Sequence, residues 1–154
     1  MNIHFDIDGC IRDLTTPLYG FDPPEWDFKQ NNKGLVKLIY EDLTILETAL
    51  ATKYTKLVAL LPEIHLISCQ PKEWQPYTIR WIGANLPIEK TSWTFVATPE
   101  EKLALIADRG CLLVEDYPKF SSYENIILIH HEYNRGVECK FRVRTVQDLR
   151  MLIF

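Results

Sequence analysis

Apolar residues in this chain fall into short runs separated by amphipathic stretches. "IHFDI" (3–7), "IHLIS" (64–68), "WTFVA" (93–97), "CLLVED" (111–116) and "NIILIH" (125–130) read as five buried strands. Between the second and third, "PKEWQPYTIRWIGANLP" fits a helix ending near Gly83. "TPEEKLALIADRG" (98–110) predicts another, with Thr98 as N-cap, Pro99 in the first position and Gly110 as terminator. The tail "TVQDLRMLIF" predicts a last helix capped by Thr145. Strands alternating with helices predict an α/β fold, a parallel sheet flanked by helices.

Residues 14–63 interrupt that alternation. An aromatic, proline-containing loop, "LYGFDPPEWDF", is followed by Val36, Ile39, Leu43, Leu46 and Leu50 at three- and four-residue steps, which predicts one long amphipathic helix. That stripe could pack on the sheet. A simple crossover needs only about a dozen residues, however, so a small helical cap inserted over the strand ends is the favoured reading. The expected organisation is a core of residues 1–13 and 64–154 with an insertion at 14–63.

Composition adds mostly exclusions. With 154 residues, 47% hydrophobic and 25% charged, one globular domain is expected. A net charge of −4 argues against stable nucleic-acid binding. The dense basic run "KFRVR", Lys140 to Arg144, reads as the solvated face of a strand or loop, with a phosphate-facing patch as the other reading. Cys10, Cys69, Cys111 and Cys139 form no CxxC pair and have no histidine at ligand spacing, so no zinc site is expected. No apolar run approaches the ~18 residues of a bilayer span and no signal-like segment precedes the first strand. The expectation is a cytoplasmic protein without a membrane partner.

The chemistry starts at "IHFDIDGCIRDL" (3–14), where Asp6, Asp8 and Asp13 stand in and just beyond a core strand. Buried carboxylates are costly unless a cation or hydrogen bonds compensate. An EF-hand loop also begins D-x-D, but Gly9 falls at its fourth position, Cys10 at its fifth, and no suitable glutamate follows. In open α/β sheets ligands bind outside the carboxyl ends of strands. Asp6, Asp8, Ser68, Glu115 and Asp116 all fall at such ends, with Lys102 in the first turn of the helix after the third strand. The acids would surround a hard cation, with a lysine and a hydroxyl nearby. Asp13 reads either as a substrate contact or as the cap of a local turn, and Cys69 as a structural residue rather than a nucleophile.

"FDIDGCIRD", "HLISC", "PEEKLA" and "CLLVED" resemble, in order, the four motifs of the haloacid dehalogenase-like (HAD) phosphohydrolases. Residues 64–135, through "SCQPKEWQPYTIRWIGANL" and "YENIILIHHEYNR", are similar to the 5'(3')-deoxyribonucleotidases, with Asn134 and Arg135 at the close of the last strand segment. The resemblance implies a Rossmann-like HAD core with a cap and Mg²⁺-dependent hydrolysis of a small phosphorylated substrate, a nucleotide in the narrower family. It implies Asp6 as nucleophile and Asp8 as acid and base. Ser68, the Cys69 amide and Lys102 would hold the phosphoryl group. The implied Mg²⁺ ligands are Asp6, the Asp8 carbonyl and Asp116, with Glu115 acting through water; if Glu115 takes the direct role instead, its longer side chain strains the octahedron.

Motif four usually carries two aspartates, and here it reads Glu115–Asp116. The cap region is also shorter than those nucleotidases have, so no base or sugar preference carries over. Tyr19, Trp26 and Phe28 are candidates to stack on a base or to form the cap's own core. Another small phosphate ester as substrate, or a HAD-fold binding protein without turnover, stays open.

Overall fold

The computed structural model describes residues 2–154. Among these, six strands form one sheet: β1 (Ile3–Phe5), β2 (Ile64–Cys69), β3 (Thr91–Val96), β4 (Leu112–Glu115), β5 (Ile126–Ile129) and β6 (Phe141–Val143). Three long connecting helices are α5 (Gln75–Asn85), α6 (Pro99–Arg109) and α7 (Val146–Ile153). Residues 14–63 hold four short ones, α1 (Thr15–Tyr19), α2 (Leu35–Glu41), α3 (Ile45–Thr48) and α4 (Thr55–Val58). Every strand pair is parallel, in the order β3-β2-β1-β4-β5-β6. This is a Rossmann-like α/β fold. The chain walks outward from β1 to β3, then crosses to the other side of β1 for β4 to β6. The order reverses between β1 and β4, and that switch point is where such sheets open a crevice at their carboxyl ends.

Both faces of the sheet are covered, which is why its strands read as continuous apolar runs. Phe5, Leu66, Val114 and Ile127 pair across one face and pack with Trp81, Ile82 and Leu149. Ile67, Leu113 and Ile126 turn the other way and meet Ile106 of α6 and Phe120. A third apolar group, Leu14, Ile39, Leu46, Ala49 and Trp74, ties residues 14–63 to the start of α5. No helix among the described residues is long and apolar enough to cross a membrane.

Three sequence expectations need correction. The long helix through Val36–Leu50 does not form. The Asp42 carboxylate accepts hydrogen bonds from the Thr44 amide (3.1 Å) and hydroxyl (2.6 Å), an Asx turn that ends α2 at Glu41. Ile39 and Leu46 are buried as predicted, but Val36 and Leu50 are 58% and 72% exposed.

Second, α5 runs past Gly83 to Asn85. It stops where Pro87 forces Leu86 into extended backbone, φ −128° and ψ 154°. Third, the five expected strands become six, because the basic run, read as strand or loop, forms a strand. Phe141–Val143 is only three residues long, and the central Arg142 gives its guanidinium to Asn134 Oδ1 (3.1 Å), the Asn134 carbonyl (3.2 Å) and the Val137 carbonyl (2.5 Å). The Thr98 and Thr145 caps and the left-handed Gly110 stop agree with expectation.

His4 of β1 stacks on His65 of β2 at 5.2 Å, and its Nε2 lies 2.9 Å from Arg109 Nη1 at the end of α6. Arginine can only donate, so the ring must be neutral. Burial first, then the neighbouring His65 and Arg109, lower its pKa from 6.5 to about 4. The unfolded chain takes up that proton near pH 6.5, the folded one only near pH 4. Stability is therefore complete above pH 6.5 and falls as pH drops toward 4. Thermal melts across that window should show the decline in the native protein and a shallower one in His4→Phe.

Candidate active site

Asp6 follows β1 directly, and its amide still pairs with the Val114 carbonyl at 2.8 Å. Its side chain therefore continues the His4 face, the face on which Glu115 continues Leu113. That side is covered by α6, whose first turn carries Lys102. The buried ammonium of Lys102 donates to Asp6 Oδ1 at 2.6 Å and to Glu115 Oε2 at 2.7 Å. Glu115 Oε1 accepts from the amides of Asp116 (3.0 Å) and Tyr117 (3.3 Å). Asp116 receives the Tyr133 hydroxyl, while Asn134 Nδ2 donates to the Asp116 carbonyl at 2.9 Å.

The turn after β1 is tight. The amides of Cys10, Ile11 and Arg12 all point at the Ile7 carbonyl, and Gly9 takes φ +80°. A Cβ on Gly9 would lie 1.9 Å from Asp116 Oδ2, so the residue must be glycine for both backbone and space. This is how the loop after β1 comes to lie against the end of β4.

Charge in the pocket is unbalanced. Three carboxylates are buried here, Asp6, Glu115 and Asp116, and the ammonium of Lys102 pairs with only the first two. Burial first, and then repulsion from Glu115, raise Asp6 to about 8, while Lys102 pulls the other way. Burial, Glu115 and Asp6 also raise Asp116 well above the carboxylate range. Burial opposes ionisation of Glu115 too, but Lys102 and the Asp116 hydrogen bonds hold it below its ordinary value. Lys102 is raised: burial works against its charge and the two carboxylates overcome it.

Asp6, Cys10 and Asp116 offer donor atoms within 4.8 Å of one another, all buried. The carboxylate oxygens suit a hard divalent cation. Cys10 does not join them as thiolate. Burial and the nearby Asp116 and Asp6 raise its pKa well above 9.0, and its thiol donates to the Val114 carbonyl at 3.7 Å. A cation between Asp6 and Asp116 would offset the cost of burying their charges, so the residues present fit a hard divalent ion.

All seven residues singled out in the sequence, Asp6, Asp8, Ser68, Cys69, Lys102, Glu115 and Asp116, line one cavity of about 300 Å³. Two stand differently from the expected arrangement. Glu115 is taken up by Lys102 and two amides rather than joining the ligand group. The Asp8 carboxylate is gripped by Arg12, a residue that sequence reasoning passed over.

Two other partners also went unseen. Gln70 Nε2 donates to Ser68 Oγ at 3.0 Å, which leaves the serine proton free for a ligand, and Tyr133 reaches Asp116 from a single turn of 3₁₀ helix. Asn134 braces that turn, whereas Arg135 only pairs with Glu132 at the surface. Asp13 accepts the Thr16 amide at 3.0 Å, capping the start of α1.

A second cavity of about 340 Å³ adjoins the first and shares Asp8, Leu14, Trp26, Leu35, Val36 and Asp116 with it. Tyr19 and Phe28 pack on each other edge to face at 5.1 Å and form the local core of their loop. Trp26 is 49% exposed, lies 4.8 Å from the Tyr117 ring and 5.3 Å from the Tyr133 ring, and faces both cavities.

No protein-family model matches the chain, and no curated protein matches its sequence.

The Gly9 contact makes a sharp test. A left-handed backbone costs an alanine about 1–2 kcal/mol, and overpacking adds about 1–3 kcal/mol. Gly9→Ala should lower the urea midpoint accordingly and displace the Asp116 carboxylate.

Proposed function

We propose that the chain is a Mg²⁺-dependent phosphomonoester hydrolase of the HAD type, acting on a small phosphorylated substrate. The observation that carries this reading is the buried set at the β1/β4 switch point: Asp6 held by Lys102 through one oxygen, with Asp116 across from it and Ser68 presenting a free proton. In this reading residues 14–63 are the cap, because Leu14, Trp26, Leu35 and Val36 close over both cavities. A cytoplasmic setting accords with four cysteines that all stand as free thiols.

Lys102 occupies Asp6 Oδ1, so Oδ2 is the oxygen available to attack phosphorus. The bond to the leaving oxygen breaks and an aspartyl-phosphate forms on Asp6. Water then displaces phosphate and restores the carboxylate. Ser68 and the Cys69 amide would bind the transferring oxygens, and Lys102 offsets their developing charge. Asp8 gives a proton to the leaving oxygen and then takes one from the attacking water. Asp6, the Asp8 carbonyl and Asp116 would hold Mg²⁺, which when bound screens the repulsion between carboxylate and phosphate.

A nucleoside monophosphate is the substrate we favour. The adjoining cavity, with Trp26 exposed at its edge and Tyr133 and His131 stacked at 4.7 Å, is large and flat-walled enough for a base. A smaller phosphate ester would leave it unfilled.

Phosphate release by purified protein against nucleoside monophosphates and sugar phosphates tests the reading. Activity should need Mg²⁺, stop with EDTA, and fall to background in folded Asp6→Asn. Silence across the panel would leave a binding protein instead. A second measurement needs no substrate. At about 100 times its Kd, Mg²⁺ should stabilise the fold by about 2.7 kcal/mol, lifting the Tm by about 5–10 °C. Asp116→Asn should lose that shift.

A further inference from the structure

Arg12 is fully buried, yet it stands one turn from the reaction centre. Its Nε donates to Asp8 Oδ1 at 2.6 Å and its Nη2 to Asp8 Oδ2 at 2.9 Å, a two-pronged grip on both carboxylate oxygens. Its Nη1 donates to the Leu46 carbonyl of α3 at 2.6 Å and to Thr78 Oγ1 of α5 at 3.1 Å. The guanidinium carbon lies 5.6 Å from the Trp81 ring centroid. Trp81 in turn donates to the Ala49 carbonyl at 2.7 Å. One side chain thus joins the loop after β1, the segment of residues 14–63, and α5. Asp8 alone of these partners reaches the chemistry: its side chain is 26% exposed and lines both cavities.

We infer that Arg12 is a positioning residue that fixes Asp8 as the base of the second half-reaction, an inference that rests on the hydrolase reading above. A planar guanidinium fork removes the rotational freedom that a carboxylate on a short side chain would otherwise keep. Both oxygens keep a lone pair directed away from the fork, and the carboxylate borders the cavity in which water would approach the phosphoryl group. In that step the water oxygen bonds to phosphorus and the bond from phosphorus to Asp6 breaks. Its electron pair returns to the Asp6 carboxylate, the water proton passes to Asp8, and inorganic phosphate departs. The first half-reaction needs no proton acceptor; Asp8 only donates a proton to the leaving oxygen there, and nitrophenolate departs without one. Loss of the grip should therefore slow water attack more than formation of the aspartyl-phosphate. Because the same guanidinium holds Leu46, Asp8 is set only when the segment over the site is seated.

The test uses p-nitrophenyl phosphate and a nucleoside monophosphate with the full chain and Mg²⁺. Arg12→Lys keeps a positive charge but loses the fork. It should show a rapid release of nitrophenolate close to one per enzyme, then turnover slowed by roughly 100-fold. Both esters should share that slow rate, and acid quenching should trap phosphate on Asp6.

Thr78→Val removes one of the four hydrogen bonds and should show the same pattern more weakly. It carries the test if Arg12→Lys does not fold. Equal slowing of nitrophenolate and phosphate release without a burst, or no change in either variant, would reduce Arg12 to scaffold and overturn the inference. If the native protein releases phosphate from neither ester, the hydrolase reading falls, and this inference with it.

Discussion

The ammonium of Lys102 between Asp6 and Glu115 is the contact on which the rest of the site depends. It joins the first strand, the fourth strand and the helix between the third and fourth through hydrogen bonds of 2.6 and 2.7 Å. Taking three ions out of water is expensive, and only close geometry repays it. Here Glu115 also takes two backbone amides, while Lys102 engages a single oxygen of Asp6, whose side chain lines the cavity. The lysine therefore both holds the elements in register and leaves the two acids it joins unequally engaged.

Around that contact the protein is arranged in two kinds of support. Glycine supplies clearance: Gly9 lets the loop after β1 lie against Asp116, where a Cβ would push that carboxylate aside. Polar partners supply orientation: Gln70 aims Ser68, Tyr133 and Asn134 hold Asp116, and Arg12 holds Asp8. None of these supports lies in a long regular element. They come from turns and strand ends, where backbone direction changes over one or two residues.

That division explains what could be read in advance. Strands β1 to β5, the Thr98 and Thr145 caps and the acids at strand ends were legible, because each rests on local periodicity or on a residue type that is costly without a reason. The helix through residues 36–50 was misread because a side chain–backbone contact at Asp42 outweighed an apolar repeat. Arg12 left one faint signal, a lone basic residue set among Asp6, Asp8 and Asp13. Tyr133 and Gln70 left none, since their roles depend on partners 17 residues away and on a hydroxyl two residues back. The sixth strand could be read only as strand or loop, because Lys140, Arg142 and Arg144 interrupt any apolar run.

The position of β1 carries a consequence for how the molecule comes into being. Its neighbours are β2 and β4, so the earliest strand of the chain is flanked by segments about 60 and 110 residues later. During synthesis the first aspartate must wait, solvated and unpartnered, until most of the polypeptide has emerged. Contacts of such long separation are slow to form, because loop closure comes before any reward. A partly folded intermediate that lacks β4 cannot hold the assembled pocket, because Lys102 meets Glu115 only when that strand arrives, and Asp116 gains Tyr133 and Asn134 later still.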